Sequence, residues 1–193
     1  AQDPNIRDRI EEELRAHNRI DAGKIYAVYY GGSSSFACGG GSWPPALVGS
    51  VGAMYLKGAV PGYLPCASNP LGADLENPGY LDISMLHELM HVQGFVPTCA
   101  SHATLQGHVG DNNNDLMYAG SLPWMLPPKL DIGRDDYYQA GIAGCLDFDR
   151  SPFLTTPGAA SLGTAIVSAN PYGPISVFGA VLNGNTISGF QQN

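Results

Sequence analysis

The segment Asp82–Gln93 (DISMLHELMHVQ) places two histidines in an apolar stretch with helical spacing. Each residue of an α-helix turns by about 100°, so His87 and His91 lie about 40° apart on one face and one turn from each other. Asp82 or Ser84 can cap the start of such a helix, and Gly94 stands where a C-terminal glycine would end it. We therefore expect a helix over 82–93 that presents two imidazoles to one point.

Two imidazoles at this spacing can bind one zinc ion. Glu88 lies about 60° from His91 around the helix, so it can approach the metal without being a ligand. Zinc lowers the pKa of a water molecule toward ~7, and a carboxylate beside it can accept the proton. Chance would supply ~0.003 copies of this H-E-x-x-H pattern in a chain of this composition, which favours a metal site over two packed core histidines.

A hydrolytic zinc site has three protein ligands and one open position, so a third ligand is required. Every glutamate of the chain lies at or before position 88, which excludes a downstream helical glutamate in this role. The candidates that remain are His102, His108 and Asp111. Ligand chemistry leaves all three open.

Two motifs in this region of the chain resemble the metzincin zinc endopeptidases. The segment His87–Gly94 fits H-E-x-x-H-x-x-G, and Asp115–Tyr118 (DLMY) is similar to the Met-turn of that clan. The resemblance covers about 83–118 strongly and the flanking segments weakly. It implies a set of roles at the site: His87 and His91 as zinc ligands, Glu88 as the general base and Met117 as the hydrophobic floor.

The loop after the second histidine departs from the spacing of the clan. The usual third ligand stands six residues after that histidine, and here this position is Pro97, which cannot bind a metal. A lengthened loop, 99–118, offers His108 seventeen residues after the second histidine and nine before the Met-turn methionine. Its C…G-H-V-x-D…D-L-M-Y pattern is similar to a divergent group of secreted metzincin-like proteins. We expect His108 to be the third ligand, with Asp111 and His102 as alternatives.

The same resemblance implies an α+β, zincin or metzincin-like fold. We expect a small twisted mixed sheet, an active-site helix and an irregular lower subdomain that contains the Met-turn. By analogy with the clan, an edge strand near 51–59 would hold an extended peptide by strand addition. We assign 1–157 to the catalytic domain, in which residues 1–94 form the upper subdomain and residues 95–157 the lower one. The Gly-rich remainder, 158–193, is either an extension or belongs to the same domain.

The four cysteines form no C-x-x-C pair, and their even number predicts two disulfides. We pair Cys38 with Cys66 and Cys99 with Cys145, because each pair then stays within one half of the chain. Disulfides indicate an oxidising compartment. The chain begins at Ala1 without a charged-then-apolar leader, so we expect a secreted protein whose signal peptide has been removed.

Periodicity and turn residues predict further elements. Ile6, Ile10 and Leu14 repeat at spacing four and predict a helix over 5–18, while β-branched and aromatic residues predict a strand over 24–30. The other predictions are a Gly/Ser loop at 31–45, a strand at 51–60, a turn-rich connection at 61–80, a loop at 95–128, a short helix at 137–145 and weak strands such as 175–182.

Charge and hydropathy exclude two classes of partner. The net charge of -8 argues against general nucleic-acid binding, which needs clustered positive charge. No apolar run approaches the ~18 residues of a membrane span, and we expect a monomer. The segment Asp111–Asp115 alternates oxygen ligands and is a candidate calcium site, with a polar loop of Asx-turns as the alternative. We expect Trp43 and Trp124 to pack rather than to line a cleft.

These observations together predict a secreted zinc endopeptidase that acts on protein or peptide substrates, with Glu88 as the general base. The alternatives are a zinc-bound, non-proteolytic binding module and a zinc amidohydrolase of small substrates. Glu88 argues against the first alternative, because a binding module does not need a general base. The length of the expected cleft argues against the second.

Overall fold

The computed structural model describes residues 5–21, 24–44, 47–59, 65–68, 71–73, 76–122, 124–151, 179–183 and 186–190. Its helices are α1 (Ile6–Ala16) and α2 (Tyr80–Val92), with 3-10 turns at Cys66–Ser68 and Phe148–Arg150. Its strands are β1 (Tyr26–Tyr30), β2 (Gly39–Trp43), β3 (Leu47–Tyr55), β4 (Gly179–Asn183) and β5 (Thr186–Phe190). The chain is therefore α+β, as expected, and no helix in the described ranges is both long and apolar enough to cross a membrane.

The first three strands form a mixed sheet in the order β1-β3-β2. The central strand β3 runs parallel to β1 and antiparallel to β2. The prediction of an edge strand near 51–59 is wrong, because that segment belongs to the central strand, which ends at Tyr55. The edge next to it is β2, which lies inside the segment 31–45 that we expected to be a loop. Its glycines have low strand propensity, and the strand forms because it pairs with β3.

Each face of this sheet is covered by one helix. Along β3, Val51 and Ala53 point to one face and pack with Ile10 of α1. Met54 points to the other face and packs with Met85 of α2. This alternation follows from the two-residue period of a strand, and it places α2 directly on the sheet.

Helix α2 begins two residues earlier than expected, with Gly79 as its N-cap residue. Asp82 stabilises this end from the third helical position, where its carboxylate accepts a 2.8 Å hydrogen bond from the Gly79 N–H. Ser84 lies inside the helix. The prediction that Asp82 or Ser84 is the N-cap residue is therefore wrong. Asp82 instead supplies the side chain of the third helical position in a capping box, in which Gly79 has no side chain to return the bond.

The other end of α2 is a Schellman motif. Gly94 has a φ of +90°, and its N–H donates to the His91 carbonyl at 2.8 Å. The Phe95 N–H donates to the Met90 carbonyl at 3.1 Å, and both side chains lie in one hydrophobic cluster. This geometry ends the helix and turns the chain beneath it, in the place that the sequence predicts for the glycine.

The segment that follows α2 is built from turns rather than regular elements. The short helix expected at 137–145 is wrong: in the described residues 124–151 the helical structure is the 3-10 turn Phe148–Arg150. Gln139, Gly141 and Gly144 have φ angles of +58°, +67° and +77°, which a right-handed helix excludes. Buried side chains of this segment pack against α2 around Met90 and Phe95.

Both predicted disulfides are present. Cys38 and Cys66 have Cα atoms 5.4 Å apart and join the start of β2 to a turn. Cys99 and Cys145 have Cα atoms 5.8 Å apart and close the segment after α2. Strands β4 and β5 form an antiparallel hairpin, and β4 overlaps the weak strand expected at 175–182. The remaining residues of 158–193 and the parts 61–64, 69–70 and 74–75 of the predicted connection 61–80 lie outside the described ranges.

Candidate metal centre

Three imidazoles meet beside α2. His91 Nε2 lies 3.0 Å from His87 Nε2 and 3.1 Å from His108 Nε2. A tetrahedral zinc ion with bonds of ~2.05 Å to nitrogen requires nitrogens roughly 3.3 Å apart, close to these separations. The three histidines could therefore hold one metal ion.

Hydrogen bonds determine which nitrogen of each ring carries the proton. Each Nδ1 faces a backbone carbonyl oxygen: His87 that of Leu116 at 2.6 Å, His91 that of Phe95 at 3.0 Å, and His108 that of Leu105 at 3.0 Å. A carbonyl oxygen only accepts, so each Nδ1 is the donor and each neutral ring keeps a lone pair on Nε2. Three lone pairs that converge without a proton between them repel one another, and a cation relieves that repulsion. The donor set therefore fits a metal ion such as zinc.

Burial adds to the tendency of these rings to stay neutral. It lowers the pKa of His87 to about 4 and the pKa of His91 well below its usual value, with neighbouring imidazoles adding to both shifts. Burial also lowers the pKa of His108. Neutral imidazole is the form that binds metal, so protons compete little at these nitrogens near neutral pH.

The alternative third ligands lie in a different cluster. His102 Nδ1 is 3.1 Å from Asp136 Oδ2, 3.8 Å from Asp135 Oδ2 and 3.9 Å from Asp111 Oδ2. The hydrogen bond to Asp136 and then its charge raise the pKa of His102. The structure thus brings His108 to the helical pair, and it places His102 and Asp111 elsewhere.

Glu88 lies in a cleft next to the three rings. With His87 and His108 it lines a cavity of about 220 Å³. Other walls of this cavity come from Gly39, Met54, Tyr80, Ser84, Tyr118 and Trp124. Burial raises the pKa of Glu88 to about 8.

Glycines in the sheet allow α2 to come this close. A Cβ atom on Gly39 would lie 2.5 Å from Glu88 Oε1, and one on Gly41 would lie 2.5 Å from the Glu88 carbonyl oxygen. A Cβ atom on Gly52, the register partner of Gly41, would lie 3.3 Å from Glu88 Cβ. The sequence does not predict this role, because three consecutive glycines, Gly39–Gly41, resemble a loop and do not show which of them face a helix.

The segment Asp115–Tyr118, which the sequence predicts to be a Met-turn, packs against α2 beside the three histidines. Met117 is fully buried in the cluster around Met90, and its N–H donates to Asp115 Oδ1 at 2.7 Å. Asp115 also accepts from the Ile132 N–H at 2.9 Å and the Tyr137 hydroxyl at 2.8 Å. Burial raises the pKa of Asp115 to about 6. These bonds fix the segment whose Leu116 carbonyl orients the His87 ring.

The same bonds bear on the predicted calcium site at Asp111–Asp115. Both carboxylate oxygens of Asp115 accept protein donors, and Asn112 Oδ1 accepts the Asn114 N–H at 3.0 Å. The Asp111 carboxylate faces His102 instead. The side-chain oxygens of Asp111, Asn112 and Asp115 therefore bind different protein groups. The loop contains an Asx-turn, which is the alternative to a calcium site.

Trp124 contributes to the cleft as well as to packing, contrary to the prediction for this residue. Its ring lies 5.9 Å from that of His87 and 6.0 Å from that of Tyr80, edge to face. Its Nε1 donates to the Asp115 carbonyl at 2.8 Å. Trp124 therefore forms a cavity wall that is itself tied to the Met-turn segment.

Comparisons with known proteins add no name to this site. No family model, no curated protein and no solved structure matches the chain.

Proposed function

We propose that this protein is a zinc-dependent endopeptidase. The observation that carries the proposal is the convergence of three Nε2 lone pairs, 3.0 and 3.1 Å apart, in a cleft that also contains the Glu88 carboxylate. Three nitrogen ligands leave a fourth position open in a tetrahedral zinc site, as in catalytic rather than structural sites.

The residues of the cleft divide the chemistry between them. His87, His91 and His108 would hold the metal through Nε2, while the backbone carbonyls at their Nδ1 atoms fix the ring orientations. When bound, zinc supplies a Lewis acid for the scissile carbonyl and lowers the pKa of a water molecule toward ~7. The charge of a bound cation would lower the raised pKa of Glu88. Glu88 would then take a proton from the water that attacks the scissile carbonyl and pass it to the amine that leaves as the C–N bond breaks.

The outer edge of β2 supports a peptide as the substrate, since in the described part of the chain β3 is the strand that pairs with β2. The Cys38 carbonyl accepts the Tyr55 N–H at 2.8 Å, so the polar groups of Cys38 face β3. Hydrogen bonding alternates along an antiparallel pair, and the N–H and C=O groups of Gly39 therefore point away from β3. An extended peptide that adds to this edge would pass the cleft at Glu88.

The two disulfides suit an oxidising compartment, and we propose that the protein acts outside the cell. Its substrates would then be extracellular proteins or peptides. The monomeric state that we expect from the sequence stays a prediction.

Digestion of a mixed peptide library by the zinc-loaded protein tests this function. We expect cleavage by the wild type and at least ~10²-fold slower cleavage by Glu88→Gln, because a proton-transfer group is lost. Glu12→Gln, on the exposed side of α1, is the matched control and should cleave like the wild type.

The other outcomes favour the alternatives. Retention of intact peptides on the zinc-loaded protein, without cleavage, would indicate a binding module. Hydrolysis of small amides without cleavage of any peptide would indicate an amidohydrolase. Equal cleavage by wild type and Glu88→Gln would remove the proposed role of Glu88.

A further inference from the structure

Strand β2 touches the candidate metal centre at three alternate residues. Gly39 lies against the Glu88 carboxylate, and a Cβ atom on Gly41 would be 2.9 Å from His91 Cβ. Trp43, two residues further along, reaches Gly107, the residue before His108. One face of β2 thus contacts Glu88, His91 and the segment 104–108 that ends at His108, which we call the ligand loop.

The contact of Trp43 with the ligand loop is close. A Cβ atom on Gly107 would lie 2.4 Å from Trp43 Nε1 and 2.7 Å from its Cδ1, so the indole ring packs directly on the Gly107 backbone. Trp43 Nε1 also faces the Val96 carbonyl at 3.4 Å. The Val96 N–H in turn donates to the Gly107 carbonyl at 2.9 Å. The indole therefore contacts both partners of that backbone hydrogen bond.

The ligand loop is exposed on its other side. Leu105, whose carbonyl holds the His108 ring, is 88% exposed. Gln106 and Gly107 have φ angles of +61° and +76°, so the backbone enters His108 through two consecutive left-handed residues. Backbone hydrogen bonds from the Thr104 N–H to the His108 carbonyl and from the Val96 N–H to the Gly107 carbonyl hold this loop, and the Trp43 ring packs on it at Gly107.

We propose that Trp43 is a positioning residue for the third metal ligand and sets the metal affinity through His108. The indole holds Gly107 in place, which keeps His108 Nε2 3.1 Å from His91 Nε2. The inference rests on the proposed metal centre and not on peptide cleavage. Residues that orient metal ligands contribute about 10- to 100-fold to metal affinity.

A double-mutant cycle with zinc as the probe tests this role. Zinc affinity is measured by competition with a chromophoric chelator for the wild type, Trp43→Leu, His108→Ala and the double variant. We expect Trp43→Leu to weaken binding by about 10- to 100-fold. In the His108→Ala background the same change should alter binding by less than about 3-fold, because the residue acts through His108.

Two further variants separate positioning from general folding. Trp43→Phe keeps a ring against Gly107 and should recover most of the affinity. Tyr30→Leu removes a half-buried aromatic residue from the end of β1, on the face that α1 covers, and should leave zinc affinity unchanged. If Trp43→Leu does not fold, Trp43→Met replaces it in the cycle, since its flexible apolar side chain fills more of the space that the indole leaves.

The outcomes distinguish the two proposals. The role of Trp43 is overturned, and the metal centre stands, if the wild type binds zinc and Trp43→Leu binds it equally well. The same holds if Trp43→Leu lowers zinc affinity by the same factor in the wild-type and His108→Ala backgrounds. Failure of the wild type to bind zinc overturns both. Cobalt(II) absorption spectra give an independent readout: Trp43→Leu should shift the spectrum toward that of His108→Ala, and an unchanged spectrum contradicts the proposal.

Discussion

Two side-chain clusters in the described part of the chain have the composition of a metal site, but their internal bonding differs. In the first, His87, His91 and His108 direct Nε2 lone pairs at one another, and none of these atoms has a proton to share. In the second, His102 lies among Asp111, Asp135 and Asp136. Its Nδ1 and its backbone N–H both have a carboxylate partner in Asp136, at 3.1 and 2.6 Å.

The histidine pKa values shift in opposite directions in the two clusters. Burial and neighbouring rings lower the pKa values of the three-histidine cluster, whereas the Asp136 hydrogen bond raises the pKa of His102. The His102 ring and the Asp136 carboxylate satisfy each other as donor and acceptor. The number of possible ligands is therefore a poor criterion for a metal site. A better criterion is a group of side chains that cannot satisfy one another's hydrogen-bonding needs.

The largest expected effect separates the clusters directly. His108→Ala removes one of three nitrogen ligands and should weaken zinc binding by at least ~10³-fold, because even an orienting partner is worth 10- to 100-fold. His102→Ala should change zinc affinity by less than ~3-fold, since its ring belongs to the other cluster. Equilibrium competition with a chelator measures both. A large loss of zinc affinity in His102→Ala would contradict the assignment of the metal to the three-histidine cluster alone.

A smaller effect is expected from the sheet that supports the first cluster. Gly41→Ala places a Cβ atom 2.5 Å from the Glu88 carbonyl oxygen, so α2 has to move away from β2. We expect a loss of about 1–3 kcal/mol in the free energy of unfolding, together with weaker zinc binding, while the His102 cluster is unaffected.

Urea unfolding of the zinc-free protein measures this loss. Gly110→Ala is a suitable control, because its Cβ atom would meet only the methyl end of the Thr104 side chain, at 2.8 Å. Equal free energies of unfolding for Gly41→Ala and the wild type would show that the packing of α2 on β2 does not require glycine at position 41.

The smallest expected effect concerns the second cluster and depends on pH. The pKa of His102 is raised in the folded protein, so its stabilising contribution is complete below the unfolded value of about 6.5 and is lost as pH rises through the folded value. His102→Gln should therefore melt at a lower temperature than the wild type at pH 5. The two should melt together at pH 9.

Thermal unfolding at the two pH values gives this comparison. His17→Gln, at an exposed histidine that follows α1, reports the general effect of losing such a side chain. The acidic groups that face His102 are Asp111, Asp135 and Asp136, so a shift of the same size at both pH values would mean that their charge does not act on the imidazole.

The features of the site that the sequence predicts well are local. His87 and His91 belong to one helix, and the 3.6-residue period alone puts them on one face. Gly94 ends that helix through hydrogen bonds that span only a few residues. The disulfide pairing was also within reach, because four cysteines allow only three pairings.

The features that the sequence does not predict depend on distant contacts. Strand β2 is a Gly-rich segment with little strand propensity of its own, and it becomes an edge strand because β3 pairs with it and α2 lies on it. The expected helix at 137–145 is missing because its glycines adopt left-handed backbone, which apolar periodicity does not reveal. The central place of β3 depends on the order of strands, which hydropathy does not encode.

By itself, then, the sequence determined a helix that carries two imidazoles and a carboxylate, and it restricted the third ligand to three residues. The family resemblance favoured His108 among these, but only the tertiary structure brings it to the helical pair, because that depends on how the loop that carries His108, seventeen residues after His91, folds back against Trp43 and Val96. The physical reason is that periodicity and capping act within a few residues. The position of a loop is determined by the surfaces it packs against, and those are assembled from the whole chain.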